Sequence, residues 1–389
     1  MNSRLTHTSA GNSVQVDLDL TGSGSWGERI AQPSAELLEL IAGFFSKTDV
    51  ESLTLSAKVS GGSSKGDEYA QAAAEMVRGV AGSAALEFAE KKIRVNSLIW
   101  DGESNPSDVS TTTKYLSSAD DAGFTTGATI RLEGQPATST PPSLDGVVLV
   151  TGGAGGLGRA AAEKLIAEGR RVVITDMPGD ALDKAAEEMG IPFLGANLSD
   201  SSDVARLVAW DAADGIDTLL IHHGVGASSR LNDESDVKSG LRSIAVNGTA
   251  VWQVFEGFYP ALKKQTSSTA VMLSSQAGLV AEPGNGAYGA AKFAVVGYVR
   301  GNAARVKADG IRLQGLCPGP IDTPLMRAAF AGFARDLGIS AEEFTAQRLG
   351  QVPLKRAGDS AHIGAAASYL SRLDAGGVIL APTGGEVLS

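Results

Sequence analysis

In the second part of the chain, the apolar pattern switches repeatedly between two periods. Stretches of continuous apolar character at 146–153, 216–224 and 269–275 predict strands that are buried on both faces. Between them, apolar residues recur every three or four positions, for example at 156–169 and roughly 236–264, which predicts helices. This alternation predicts an α/β fold, with a Rossmann-type doubly wound parallel sheet covered by helices on both faces.

The N-terminal part shows a shorter series of the same kind. It predicts a helix at 33–45, a strand at 52–59, a helix from Tyr69, a strand at 93–100 and, after one more helix, a strand at 127–134. The order matches the second half of the C-terminal part, element for element. We therefore predict an internal repeat, in which a degenerate half-Rossmann unit precedes the complete fold.

A linker separates the two parts. Residues 133–146 are rich in Pro, Ser and Thr and have no periodic apolar pattern. The sequence thus predicts a first domain at 1–140 without a cofactor site and a second, complete domain at 145–389.

Composition narrows the class of protein. The chain has 389 residues with a net charge of −11 and no basic stretch, which disfavours nucleic acid and anionic membranes as partners. No apolar run reaches the roughly 18 residues of a membrane span, and the N-terminus lacks the apolar core of a signal peptide. A single cysteine, Cys317, excludes an internal disulfide and fits a reducing compartment. We expect a soluble cytoplasmic protein.

A glycine-rich turn, "TGGAGGLG" at 151–158, lies between a predicted strand and a predicted helix. Gly152, Gly156 and Gly158 allow a sharp turn that brings helix-terminal N–H groups against a pyrophosphate. An acidic residue, Asp176, ends the next strand, as in dinucleotide-binding folds.

The carboxylate of Asp176 indicates which dinucleotide binds. It can accept both ribose hydroxyls of NAD(H) and would repel a 2′-phosphate, and Ala154, Gly155 and Met177 supply no positive charge to hold one. The sequence therefore predicts NAD(H) rather than NADP(H). The alternative is that Asp176 only caps the junction between strand and loop.

A second set of residues carries acid–base chemistry. Tyr288 and Lys292 are four positions apart and project from one face of a helix. A neighbouring ammonium stabilises phenolate, so we expect Lys292 to lower the pKa of Tyr288 from its ordinary value near ~10. Ser275, at the end of the preceding strand, can hold a substrate oxygen by a hydrogen bond.

Together these motifs resemble those of the short-chain dehydrogenase/reductase family, over about 145–389. The resemblance implies a catalytic role for Asn247, beside Ser275, Tyr288 and Lys292. It also implies that Tyr288 and Lys292 contact the cofactor, with Gly152, Gly155, Gly156, Leu157, Gly158, Asp176, Asn197, Leu198, His222, Gly224, Pro318, Gly319, Ile321 and Thr323.

The activity implied by the resemblance is hydride transfer between a secondary alcohol carbon and a nicotinamide. In the family, a segment corresponding to 323–351, here termed the lid segment, covers the substrate. Its Leu325, Met326, Phe330 and Phe333 predict an apolar alcohol or ketone of alicyclic, aromatic or 3-oxoacyl type. The alternative is a non-catalytic nucleotide-binding scaffold or partner subunit with the same fold.

One motif departs from the family. Where N-N-A-G is usual, the chain has "IHHG", residues 221–224. Two interpretations stay open for His222, which either reproduces the amide hydrogen bond of the usual asparagine or lies against the cofactor. His222 and His223 also suggest a metal, but no third ligand is nearby in sequence, so no metal is predicted.

The repeat suggests a role for the first domain. Ser56 precedes Tyr69 by thirteen positions, as Ser275 precedes Tyr288, but Ala73 stands where the lysine would be. The first domain is thus predicted to be catalytically inactive.

Its helices, 33–45 and 69–90, correspond to the pair through which family members dimerise. We predict that they pack on 236–264 and 288–308 as a covalently attached pseudo-partner, within a homodimeric assembly. The layout resembles that of the high-molecular-weight 3-oxoacyl-ACP reductases.

Overall fold

The computed structural model describes most of the chain, in six stretches: residues 5–21, 32–45, 49–59, 70–132, 144–226 and 237–388. Within these stretches, no helix is both long and apolar enough to cross a membrane. Tyr69, the counterpart of Tyr288 in the predicted repeat, lies outside the described residues. The chain divides into two compact units, which are described separately below.

The first unit is built on a five-stranded sheet with the order β1-β2-β3-β4-β5. Its elements are β1 (Leu5–Ala10), β2 (Ser13–Asp19), α1 (Gln32–Phe45), β3 (Ser52–Lys58), α2 (Ala70–Phe88), β4 (Arg94–Trp100), α3 (Pro106–Ser117), α4 (Ala119–Ala122) and β5 (Thr129–Arg131). Strands β2 to β5 pair in parallel, in the order that a repeat of the second half of the fold would give.

The hairpin at the start of the unit was not predicted. Strands β1 and β2 pair antiparallel around Gly11, which has a φ of +58°. The signal is present in the sequence, since Val14, Val16 and Leu18 alternate with polar residues, and all three are buried.

Two segments from far along the chain also belong to the first unit. Val352–Arg356 and Pro382–Ser389 cluster with residues 1–139 and not with the second unit. The sequence-based boundary placed both segments in the second domain. Neither segment has a periodic apolar pattern that would predict its place in the fold. Their contacts are with residues more than 200 positions away in sequence, such as Gly123.

The second unit carries a seven-stranded parallel sheet with the order β12-β11-β10-β9-β6-β7-β8. Its elements are β6 (Val147–Thr151), α5 (Gly156–Ala167), β7 (Arg171–Asp176), α6 (Asp180–Met189), β8 (Phe193–Gly195), α7 (Ser201–Val208), β9 (Ile216–Ile221), α8 (Val237–Ile244), α9 (Ala250–Lys264), β10 (Ser268–Leu273), α10 (Gly286–Lys307), β11 (Ile311–Leu316), α11 (Pro324–Leu337), α12 (Ala341–Gln351), α13 (Ser360–Ser371) and β12 (Ile379–Leu380). The predicted fold class, a doubly wound parallel sheet preceded by a half-unit, is confirmed.

The long helix predicted at 236–264 is interrupted. A π-helical turn, Ala245–Thr249, joins α8 to α9 and carries Asn247. Single π-turns of this kind occur frequently at functional sites, because they change the direction in which one side chain projects.

Candidate active site

The strand order reverses between β6 and β9, which are neighbours in the sheet although far apart in sequence. Open α/β sheets bind ligands at such a point, outside the carboxyl ends of the strands. The glycine turn follows β6 there. Gly152 has a φ of +71°, and a Cβ on it would lie 2.8 Å from the Cα of His223. A Cβ on Gly158 would overlap the carbonyl oxygen of Gly152. Both positions therefore require glycine.

Two other glycines of the turn, Gly155 and Gly156, leave space above it. Added Cβ atoms on Gly155 or Gly156 would meet nothing within 4 Å. Gly156 is the first residue of α5, so the N–H groups of the first turn of this helix border that space. The open cradle and the helix N-terminus fit a pyrophosphate.

Asp176 lies at the end of β7, beside the same turn. Its Oδ2 accepts the N–H of Ala154 at 3.1 Å, and its Oδ1 accepts the N–H of Met177 at 2.8 Å. Each carboxylate oxygen can accept a second hydrogen bond. The nearby cation, Arg159, is already paired with two glutamates, Glu163 and Glu188, each at 2.8 Å.

Three of the four catalytic residues predicted from the sequence lie directly after β10 or in α10. Ser275 follows β10, and its hydroxyl accepts the N–H of Ala277 at 3.2 Å. Tyr288 and Lys292 lie in the first two turns of α10, and the Lys292 Nζ atom is 5.7 Å from the centre of the Tyr288 ring. Lys292 is buried and donates to the carbonyl of Leu273 at 3.1 Å.

The pKa values of this pair differ from the expectation. Burial raises the pKa of Tyr288, and the opposing hydrogen bond with Ser275 is a smaller influence. Burial also lowers the pKa of Lys292 to about 8. The expected lowering of the Tyr288 pKa by Lys292 is therefore wrong for this arrangement, because burial of the phenol dominates and the Lys292 ammonium donates to the Leu273 carbonyl.

Asn247 connects the loop after β9 to helix α8. Its Oδ1 accepts the N–H of Val225 at 3.0 Å, and its Nδ2 donates to the Val225 carbonyl and to the Ser243 hydroxyl, both at 2.9 Å. A Cβ on Gly224 would lie 2.8 Å from the Asn247 Oδ1 atom, so the close approach requires glycine there. Asn247 thereby fixes the chain that leaves β9.

The other predicted contact residues lie at the same carboxyl edge. The Pro318 carbonyl accepts the N–H of Gln276 at 2.8 Å, and the Thr323 hydroxyl caps α11 by accepting the N–H of Met326 at 3.2 Å. Gly319 is half-buried and Ile321 is buried beside them, whereas exposed Asn197 and buried Leu198 follow β8, at the other end of the sheet.

The side chains of His222 and His223, whose roles the sequence left open, differ in their hydrogen bonding. The His223 Nδ1 atom lies 2.8 Å from the Thr151 hydroxyl, so the side chain of His223, and not that of His222, joins β9 to β6. Neither ring nitrogen of the buried His222 has a hydrogen-bond partner among the described residues. Burial lowers the pKa of His222 to about 4 and that of His223 to about 3, so both are neutral near pH 7. In the part of the chain that the structure describes, no three His, Cys, Asp or Glu residues are grouped to hold a metal.

Sequence reasoning missed a polar cluster between Ser275 and Tyr288. The Gln276 Nε2 atom donates to Glu282 at 2.6 Å, and the Asn285 Nδ2 atom donates to its other oxygen at 2.7 Å. Arg348 of α12 lies 3.7 Å from the same carboxylate. The sequence indicates this cluster only weakly, through the position of Gln276 directly after Ser275.

The lid segment forms two helices, α11 and α12, joined by aromatic contacts. The Phe344 ring centre lies 5.3 Å from that of Phe330 and 5.8 Å from that of Phe333. Phe330 is buried within this pair of helices. Phe333 packs against Gly284, where a Cβ would lie 3.0 Å from the ring. The lid segment thus contacts the loop that joins Ser275 to Tyr288.

Comparison with known proteins agrees with this geometry. The sequence profile described as short chain dehydrogenase matches residues 146–332. Levodione reductase of Leifsonia aquatica is 30% identical over 251 residues, which cover 61% of this chain and 92% of that protein. D-beta-hydroxybutyrate dehydrogenase of Rhizobium meliloti is 29% identical over 204 residues, covering 50% of this chain and 79% of that protein.

A solved structure shares the fold. A single-residue variant of actinorhodin polyketide ketoreductase, crystallised with NADPH, superposes with a TM-score of 0.59 at 23% identity. The match covers 62% of this chain and 97% of that one.

Proposed function

Because the chain belongs to the short-chain dehydrogenase/reductase family, we propose that it is an NAD(H)-dependent oxidoreductase that interconverts a secondary alcohol and a ketone. The observation that supports this most directly is the convergence of Ser275, Tyr288 and Lys292 at the sheet edge that carries the glycine turn. All three lie at the carboxyl end of β10 or in the first two turns of α10.

The residues at the glycine turn fit a dinucleotide. The space above Gly155 and Gly156 suits the pyrophosphate, and the Asp176 carboxylate suits an unphosphorylated ribose. Arg159 is neutralised by its two glutamates, so it offers little attraction to a 2′-phosphate. When bound, the nicotinamide supplies the hydride acceptor for alcohol oxidation and the hydride donor for ketone reduction.

The chain supplies the proton chemistry. In oxidation, the Tyr288 oxygen receives the hydroxyl proton of the alcohol while the carbinol carbon loses its hydride, and ketone reduction reverses both transfers. Ser275 orients the substrate oxygen. Lys292, which donates to the Leu273 carbonyl, would hold the ribose of a bound dinucleotide, and Asn247 maintains the path by which the proton reaches solvent.

The lid segment supports a small, largely apolar substrate. Leu325 is 48% exposed, and its side chain lies 3.1 Å from where a Cβ on Gly226 would be. With Met326 and Phe333, it gives an apolar wall suited to an alicyclic, aromatic or 3-oxoacyl substrate. The names of levodione reductase and D-beta-hydroxybutyrate dehydrogenase point to a ketone and to an alcohol, respectively.

The domain division extends the proposal. Residues 1–140 form an inactive half-unit without a cofactor site, and 145–389, apart from the two segments that belong to the first unit, form the catalytic domain of a cytoplasmic homodimer. The hydroxyl of Ser56 supports the inactivity, because it accepts the Trp100 Nε1–H at 3.1 Å. The apolar side chain of Phe293 on α10 is 45% exposed within the chain, which suits a packing partner on this helix.

Replacing Tyr288 by Phe tests the proposal against a non-catalytic scaffold. The wild type is assayed for NADH production from secondary alcohols such as cyclohexanol and 1-phenylethanol, and NADH binding is titrated in parallel. We expect Tyr288→Phe to lower turnover by about 10²–10⁴-fold while NADH still binds. A wild type that binds NADH without any turnover would instead support the scaffold function.

A further inference from the structure

One carboxylate joins both ends of the loop that separates Ser275 from Tyr288. The Glu282 Oε1 atom accepts a hydrogen bond from the Gln276 Nε2 atom at 2.6 Å, and its Oε2 atom accepts one from the Asn285 Nδ2 atom at 2.7 Å. Gln276 directly follows the serine, and Asn285 precedes the tyrosine by three positions. The Glu282 side chain thus links the two predicted catalytic residues through their near neighbours.

At the serine end, the buried side chain of Gln276 depends on this bond. Its backbone N–H donates to the Pro318 carbonyl at 2.8 Å, which fixes the main chain. Among the described residues, the Gln276 Oε1 atom has no hydrogen-bond partner. Loss of the Glu282 carboxylate would therefore leave the whole buried amide unpaired, a state that costs free energy and favours a displaced side chain. Glu282 in this way holds the residue next to Ser275.

At the tyrosine end, the side chain of Asn285 bonds to Glu282 and does not cap its helix. Asn285 occupies the N-cap position of α10, where an asparagine oxygen usually accepts an N–H of the first turn. That side-chain bond is not formed here, and the amide donates to the carboxylate instead. Tyr288 is the third residue of α10, so the turn that carries it begins at a residue held by Glu282.

The lid segment meets the loop at the same carboxylate. Arg348 of α12 lies 3.7 Å from the Glu282 Oε1 atom, and the two side chains are only 19% and 25% exposed, so water screens their attraction less than at the surface. Two residues further on, Gly284 has a φ of +78°, and a Cβ there would lie 3.0 Å from the Phe333 ring. All four residues belong to the second unit. The loop and the lid segment are therefore held together around Glu282.

Glu282 also places a negative charge near the phenol of Tyr288. Burial is the main cause of the raised pKa of Tyr288; the hydrogen bond with Ser275 lowers this pKa, whereas the Glu282 carboxylate and Cys317 raise it further. Of the described residues, Lys292 also faces the ring, with its ammonium 5.7 Å from the ring centre. Tyr288 must be deprotonated to accept a proton from an alcohol, so removal of the Glu282 charge extends oxidation to lower pH.

We propose that Glu282 is a positioning residue, which holds the serine and the tyrosine in register for proton transfer and ties this register to the lid segment. It acts through Gln276, Asn285 and Arg348, and not by contact with the reacting atoms. The kinetic part of the proposal rests on the proposed oxidoreductase function, whereas the link between the two ends of the loop does not.

Two substitutions of Glu282 separate position from charge. Glu282→Gln keeps an acceptor and the shape of the side chain, whereas Glu282→Ala removes both bonds. With the secondary alcohol that the wild type oxidises fastest, Glu282→Ala is expected to lower kcat by about 10–100-fold, because small misplacements of reacting groups are costly. Glu282→Gln is expected to keep kcat within about fivefold of the wild type and to move the acidic limb of its pH profile to lower pH. Glu187→Gln, which alters an exposed glutamate of α6, leaves both unchanged as the control.

Substitutions of two partners of Glu282 test its separate connections. Arg348→Ala removes the connection to the lid segment, so it is expected to raise KM by about fivefold with a smaller effect on kcat. Asn285→Ser keeps a side chain that caps helices well and loses the amide that reaches the carboxylate, so it is expected to lower kcat by about fivefold. Because the helix cap is retained, this loss reports the bond to Glu282.

Hydrogen–deuterium exchange tests the link without any substrate. In the full chain, Glu282→Ala is expected to speed exchange in residues 276–287 by about tenfold, while exchange in β6 stays unchanged. The same measurement on Asn285→Ser keeps the test available if Glu282→Ala does not fold. Unchanged exchange in 276–287, or a kcat equal to that of the wild type, overturns the proposal. Absence of turnover in the wild type contradicts the oxidoreductase function instead, and exchange alone then decides the positioning.

Discussion

The Nδ1 atom of His223 lies 2.8 Å from the Thr151 hydroxyl, which also accepts the N–H groups of His222 at 3.0 Å and of His223 at 3.3 Å. A hydroxyl that accepts two N–H groups has its own proton left to donate, so it donates to Nδ1. This hydrogen-bond pattern favours the His223 tautomer that carries its proton on Nε2. One threonine side chain in this way joins the carboxyl ends of β6 and β9, the two strands between which the strand order reverses.

Replacing Thr151 by Val tests this junction. The change keeps the shape but leaves two buried N–H groups and the Nδ1 atom without their partner. We expect the free energy of unfolding to fall by about 2–4 kcal/mol, as measured by urea denaturation. Thr151→Ser keeps the hydroxyl and is expected to cost about half as much or less. Equal losses in the two variants would show that the hydrogen bonds contribute little.

The two buried histidines make stability depend on pH. Their pKa values are lowered in the folded state, to about 4 and about 3, from an ordinary value of 6.5. The unfolded chain therefore binds more protons below pH 6.5, and stability falls as the pH is lowered from there towards 4. At pH 5 each histidine costs about 2 kcal/mol.

The double variant His222→Asn/His223→Ala isolates this effect. Between pH 7 and pH 5, the wild type is expected to lose more unfolding free energy than the variant, which lacks both groups. Urea denaturation at a series of pH values measures the difference. Parallel pH profiles for the two proteins would contradict burial of the neutral imidazoles.

Much of the fold could be predicted from the sequence, because the patterns that indicate it involve residues close together along the chain. The buried strands, the glycine turn and the spacing of Tyr288 and Lys292 each depend on neighbouring residues. The side chain that bonds to the Thr151 hydroxyl could not be predicted. His222 and His223 are adjacent in sequence, and only the geometry of the strands determines which ring reaches Thr151. The raised pKa of Tyr288 was also not predicted. Its main cause is burial, which depends on the whole fold, whereas the Tyr–Lys spacing indicates only that a positive charge lies nearby.

The first unit was predicted less completely for a related reason. Arg356 is more than 200 positions from Gly123 and Phe124 in sequence, and no periodic apolar pattern indicates its contacts with them. The β1–β2 hairpin, in contrast, was marked by the alternation of Val14, Val16 and Leu18 and could have been found.

Deleting residues 1–140 tests the role of the first unit in assembly. The deletion removes Phe124 and Gly127, against which residues 382–388 fold, and so exposes the buried side chains of Val352 and Val387. We expect aggregation or a changed number of subunits, measured by size-exclusion chromatography with light scattering. A well-behaved truncated protein with the subunit number of the full chain would rule out the pseudo-partner proposal.

The most direct test of the account is a fluorescence titration of the full chain with NADH and with NADPH. Because the Asp176 carboxylate lies at the glycine turn, where we propose that the ribose binds, and Arg159 is already paired, the Kd for NADH should be at least about tenfold lower than that for NADPH. Asp176→Ala should bring the two values within about threefold of each other. Asp180→Ala, four residues further along and exposed, should leave the ratio unchanged. Tighter binding of NADPH, or binding of neither dinucleotide, would contradict an NAD(H)-dependent enzyme.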